Sequence, residues 1–159
     1  MAYTAAVITV SDLGSQGLRE DTSSPRLCRM LTEAGYEVVY TAIVPDNVEK
    51  IRQQLLLCSD EKRLDLVLTT GGTGLSPRDV TPEATRAILE REIPAIPTAM
   101  LVESLKITPH AMLSRAAAGT RGSTLMVNLP GSEKGAAENL AAVLPALGHG
   151  IKMMAGGGH

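Results

Sequence analysis

Four short apolar runs, rich in β-branched residues, recur along the chain with helix-spaced segments between them. The runs are Ala5–Val10, Glu37–Val44, Leu64–Thr70 and Ser123–Leu129. Runs of this length read as buried strands. After the first, Ser24-Pro25 supplies a helix start, Leu27, Leu31 and Ala34 share one face, and Gly35 suits the helix end. After the second, Val48, Ile51, Leu55 and Cys58 recur at helical spacing. After the third, Thr81-Pro82 restarts a helix, and Pro94, Pro97 and Pro109 cut the middle of the chain into short helical pieces. A last helix runs from about Glu133 towards Met154, with a break expected near Pro145. Strands joined by helical crossovers predict an α/β fold whose mostly parallel sheet is covered on both faces. With 159 residues, the expectation is a single domain over residues 1–155 and a flexible tail over 156–159.

In open sheets of this kind, ligands bind beyond the carboxyl ends of the strands. That rule selects Ser11-Asp12, Pro45-Asp46, Gly71 to Asp79, and Pro130-Gly131-Ser132. The richest of these is Thr70-Gly71-Gly72-Thr73-Gly74-Leu75-Ser76-Pro77-Arg78-Asp79. Three glycines in four residues let bare N–H groups approach an anion. The helix start after them favours negative charge. Arg78 adds a cation, and Asp79 a carboxylate suited to a divalent metal. Phosphate with magnesium is the chemical reading; a plain strand-to-helix turn is the other. Neither G-x-x-x-x-G-K-[ST] nor G-x-G-x-x-G occurs here, which disfavours a P-loop and a nicotinamide site.

The remaining candidates each read two ways. Asp46, with Glu49 three residues on, fits a carboxylate capping box or a functional carboxylate. Asp12 suits a turn or a ligand. Arg115, in Leu113-Ser114-Arg115-Ala116, suits an anion site or an interface. Lys134, near a helix start, is mildly unfavourable there unless an anion joins it. His110 and His149 lack any ligand or nucleophile spacing.

Composition excludes other classes. The net charge is −2 and the chain has no Phe, no Trp and three Tyr. A basic footprint and a stacking platform for nucleic acid are both missing. The start, Met1 to Ser11, reads as a strand rather than a signal peptide, and no stretch suits a membrane span. Cys28 and Cys58 form no ligand motif and fall at apolar helix positions, so both are expected to be inert core thiols in a reducing, cytoplasmic setting.

The segment Thr70 to Thr85 resembles a signature of the MogA/MoaB-like molybdopterin-binding family. The stretch Leu113-Ser114-Arg115 through Gly119 to Leu125 and Asn128-Leu129-Pro130-Gly131-Ser132 resembles its second signature, and Val10-Ser11-Asp12 and Val44-Pro45-Asp46 sit in matching places. Residues 107–147 are similar to gephyrin-type adenylyltransferase domains. The resemblance implies a three-layer α/β/α sandwich, a homotrimer, and AMP transfer from ATP to the phosphate of molybdopterin with Mg²⁺. It implies Asp46 and Asp79 as functional carboxylates, with Asp79 on the metal. Ligand binding falls to Ser11, Asp12, Gly71, Gly72, Thr73, Gly74, Arg78, Ser114, Arg115, Pro130, Gly131 and Ser132. It also implies a transient handover of product to the metal-insertion enzyme. The alternative within the family is a non-catalytic pterin-binding or scaffold protein of the MoaB type. The loop from Gly14 to Asp21 departs from the family pattern.

Overall fold

The computed structural model describes residues 2–157. Its core is one six-stranded sheet in the order β2-β1-β3-β6-β5-β4. The four expected strands are β1 (Thr4–Val10), β2 (Glu37–Val44), β3 (Leu66–Thr70) and β6 (Thr124–Leu129). They pair in parallel, with Ile8 beside Thr69 and Thr69 beside Asn128. Side chains alternate across these strands. Ala5, Val7, Leu66, Leu68, Leu125 and Val127 face α2 (Ser23–Glu33), α5 (Ala95–Leu105) and α6 (Glu133–Met154). Ala6, Ile8, Val10, Val67 and Met126 face α3 (Val48–Leu56) and α4 (Thr81–Arg86). β1, β3 and β6 are therefore buried on both faces, whereas the edge strand β2 exposes every second residue.

Two strands escaped the sequence pattern. β4 (Arg91–Glu92) and β5 (Ala118–Arg121) add an antiparallel edge. β4 is two exposed residues, and β5 carries Gly119 and Arg121 in place of an apolar run. A Cβ at Gly119 would collide with the Arg91 carbonyl oxygen, so only glycine lets these two strands meet.

Two local expectations are corrected. The break at Pro145 does not occur, and α6 runs unbroken for 22 residues. Pro145 lies on the exposed side, where water can satisfy the carbonyl four residues earlier. The start of α2 is served by Asp21, whose carboxylate accepts the Ser24 N–H at 3.1 Å, rather than by Ser24 itself. Cys58 sits in a π-helical turn, Leu57–Glu61, that extends α3. It is fully buried, and burial pushes its thiol up to about 11. Cys28 is half-buried and shifted the same way by burial.

At the C-terminus, Gly156 and Gly157 donate N–H groups to Met153 and Lys152 and close α6. The rest of the expected tail, residues 158–159, lies outside the described residues. Among the described residues, no helix is long and apolar enough to cross a membrane.

Candidate active site

The chain leaves β1 towards β2 on one side, and β3 lies on the other side of β1. This reversal opens a crevice at the carboxyl ends of β1 and β3. A cavity of about 570 Å³ fills it. Ser11, Asp12, Asp46, Gly71, Gly72, Asp79, Gly131 and Ser132 line it, so eight residues selected from four separate segments meet there.

Gly71 and Gly72 take φ of +107° and +72°. A Cβ on Gly71 would strike the Val10 carbonyl oxygen, and one on Gly72 the Thr81 hydroxyl. Thr81 is no helix cap; its hydroxyl donates to the Gly71 carbonyl at 2.9 Å and its N–H to that of Gly72. The loop is thereby closed onto α4. Gly71 gives its own N–H to Leu129, so it is not available to an anion. A Cβ on Gly131 would lie 3.3 Å from Gly71 Cα, so glycine is what lets the two loops touch.

Asp46 is not the cap of α3. Asn47 fills that position and accepts the Lys50 N–H at 2.9 Å. The Asp46 carboxylate instead accepts the Asp12 N–H at 3.0 Å. Partial burial raises its pKa above the usual value, and the nearby Asp12 and Asp79 carboxylates push the same way. Asp12 moves oppositely. The Arg78 guanidinium holds its carboxyl below the usual range through two bonds of 3.0 Å, helped by the Asp46 N–H. Arg78 is thus already paired, although its side chain is 65% exposed. Asp79 folds back on its own turn and accepts the Ser76 N–H at 3.0 Å.

Ser132 caps α6 by accepting the Gly135 N–H at 3.1 Å. The positive end of this long helix therefore borders the cavity. Lys134 does not line the cavity; it pairs with Glu138 at 3.9 Å and is 83% exposed. The loop after α1 (Asp12–Ser15) closes the near side. Asp21 accepts the Thr9 hydroxyl at 2.7 Å, and the Ser23 hydroxyl donates to Gly131 at 2.8 Å. Asp21 and Ser23 line the cavity too. They were missed because a polar loop without periodicity carries no signal of what it touches.

A second cavity, about 360 Å³, adjoins the first across Pro130 and Ser132. Ser114 lines it with Met100, Leu101, Ser104 and Asn139. Thr73, Gly74, Arg78 and Arg115 line neither cavity. A roomier hollow, about 690 Å³ beside Tyr3, Tyr36 and Pro145, lies at the opposite end of the sheet, away from the carboxylates.

No cluster of three or more His, Cys, Asp or Glu suited to a metal occurs among the described residues. Mg²⁺ does not require one, because it takes one or two carboxylates and completes its shell with phosphate oxygens and water. Asp46 and Asp79 fit that pattern, and their mutual repulsion is what a divalent cation would relieve.

Residues 6–149 match the family described as "Probable molybdopterin binding domain". Gephyrin of Dictyostelium discoideum is 46% identical over 162 residues; the match takes in 96% of this chain but only 22% of gephyrin. Molybdopterin adenylyltransferase of Helicobacter pylori (strain ATCC 700392 / 26695) is 40% identical over 152 residues, covering 94% of this chain and 86% of that protein. The crystal structure of the molybdopterin biosynthesis enzyme MoaB from Thermus thermophilus superposes with a TM-score of 0.92 at 47% identity, over 97% of both chains. With a match over most of its length, and a fold shared from end to end, the chain belongs to the molybdopterin-binding domain family.

Proposed function

We propose that this protein is a molybdopterin adenylyltransferase of molybdenum cofactor biosynthesis. The observation that carries the reading is the meeting of Asp12, Asp46 and Asp79 with the glycine loop in the switch-point crevice. Relatives named for that activity, about 40% identical over more than nine-tenths of this chain, support it.

The reaction joins a phosphate oxygen of molybdopterin to the α-phosphorus of ATP and breaks the α–β bridge, releasing pyrophosphate. The attacking phosphate is already ionised near neutral pH, so no general base is needed. Charge neutralisation and alignment carry the step. Asp79 and Asp46 would hold Mg²⁺, which supplies a counter-charge to the polyphosphate. Gly72, which lines the first cavity, would offer its N–H group to a phosphate oxygen, and the α6 N-terminus adds its dipole. Arg78 would exchange Asp12 for a phosphate. The first cavity suits the polyphosphate. The second, with apolar walls and the Ser104–Asn139 hydrogen bond at 3.1 Å, suits a ring with polar edges.

A homotrimer fits the exposed apolar side chains of Val102, Leu105, Ile107, Met112 and Leu113 on and beyond α5. A cytoplasmic setting fits two free thiols, and handover to a metal-insertion enzyme would follow from the product. Incubation with molybdopterin, ATP and Mg²⁺ tests the activity. Pyrophosphate and an adenylylated pterin are expected. Pterin binding without pyrophosphate would establish the non-catalytic reading instead.

A further inference from the structure

We propose that Arg115 is a positioning residue that sets the Asp79 turn from behind, not a group that meets the substrate. This rests on the adenylyltransferase reading for its consequence in turnover, though not for its structural test.

Arg115 spends its donors on the glycine loop and the first turn of α4. Its Nε donates to the Gly74 carbonyl at 2.8 Å, and Nη2 to the Asp79 carbonyl at 2.8 Å. Its Nη1 meets the Glu83 carboxylate, and its main-chain N–H donates to Thr73 at 2.9 Å. Four bonds thus run from one residue to positions 73, 74, 79 and 83. The two guanidinium–carbonyl bonds grip both ends of the turn Gly74 to Asp79. Between those ends the turn is held by the Ser76–Asp79 pair, by the Arg78 N–H donating to the Ser76 hydroxyl at 3.3 Å and by the Arg78–Asp12 pair, and Leu75 to Arg78 are exposed. Releasing the grip would leave the segment that carries the Asp79 carboxylate tied to its surroundings through Arg78 alone, and so loosen it.

The chemistry requires arginine. A rigid planar fork reaches two carbonyls and a carboxylate at once, whereas a lysine ammonium is a single point on a flexible stem. Glu83 also neutralises the charge, and its own carboxyl is held below the usual range by Arg115. A guanidinium so occupied and compensated is poorly placed to receive an anion. Its neighbour Ser114 lines the second cavity. The Ser114-Arg115 step therefore joins the wall of one cavity to the turn that brings Asp79 to the other.

Two variants of the full-length protein, Arg115→Ala and Arg115→Lys, test this. Amide hydrogen exchange on the ligand-free proteins should be faster in residues 73–80 of both variants, with wild-type protection in β1, β3 and α6. Turnover should fall about 10²-fold, the scale of a small misplacement of a reacting group, with KM for ATP and for molybdopterin nearly unchanged. Millimolar guanidinium should restore part of the turnover of Arg115→Ala, and potassium at equal concentration should not. Unchanged exchange in residues 73–80 would overturn the proposal. So would full activity in Arg115→Lys, or a rise in KM at constant kcat, which would make Arg115 a ligand contact. Because the exchange readout involves no substrate, it stands even if the wild type makes no pyrophosphate, an outcome that would sink the adenylyltransferase reading alone.

Discussion

Asp12 and Asp46 hold each other by exchange. The Asp12 N–H donates to Asp46 Oδ2 at 3.0 Å, and the Asp46 N–H donates to Asp12 Oδ1 at 2.9 Å. The ends of β1 and β2 are thereby locked together, with two carboxylates brought into one crevice. Like charges at such range are unfavourable unless compensated. Arg78 compensates Asp12, while Asp46 has only a weaker share of Arg78.

Asp46→Asn should separate charge from structure. Asn47 already caps α3, and an amide oxygen can still accept the Asp12 N–H. The variant should fold as the wild type does, and turnover should fall about 10²-fold or more, as when one transition-state stabilising group is lost. Circular dichroism with a pyrophosphate assay checks this; near-wild-type turnover would remove Asp46 from the mechanism.

Asp46 also sets a pH dependence. Its pKa is raised in the folded state, so ionised Asp46 is a cost at neutral pH. As pH falls through the folded value, the native state takes up a proton before the unfolded chain does, and that cost disappears. Asp46→Asn should therefore melt at or above the wild-type temperature at neutral pH, with the gap closing in acid. Wild-type kcat/KM should show an acid limb displaced upward from the usual aspartate value. Melting curves and a pH–rate profile measure the two effects; a gap that widens in acid would contradict the assignment.

Asp79→Asn should keep the fold, because the amide oxygen can still accept the Ser76 N–H. It should bind pterin and lose Mg²⁺-dependent transfer by about 10²–10³-fold. Titration of rate against Mg²⁺ should show that half-maximal turnover needs more metal than in the wild type. Unaltered Mg²⁺ dependence would assign the metal to another ligand.

Two glycines of the loop should fail differently. Gly72→Ala places a side chain at positive φ and against the Thr81 hydroxyl, so it should lose stability, the backbone strain alone costing about 1–3 kcal/mol. A bulkier Gly72→Val would be worse and cannot report on anion binding alone. Gly74 has no such backbone demand, but an added Cβ would lie 2.9 Å from Asp79 Oδ2. Gly74→Ala should melt near the wild type and lose turnover by displacing that carboxylate. Equal melting temperatures for both variants would refute the distinction.

Light scattering at micromolar concentration should give three times the 16.7 kDa chain mass. A monomer alone would remove the trimer and leave the fold intact.

The strand runs, their helical crossovers and the glycine loop were legible because each writes a local period or a turn signature into the chain. The crevice followed from them, since parallel strands collect their carboxyl ends on one edge. The antiparallel edge at Arg91 and Ala118 did not, because a two-residue strand and a glycine-bearing one have no periodicity to read. The sequence also identified Asp46, Arg78 and Arg115 as candidates, but not what each touches. Asn47 took the cap that Asp46 also suited, Asp12 took Arg78, and the carbonyls of Gly74 and Asp79 took Arg115. Apart from the cap, these pairings join residues tens of positions apart. The local sequence determines which segments end at the crevice; only the packed backbone decides which of their groups line it, which are spent on one another and which remain for a ligand.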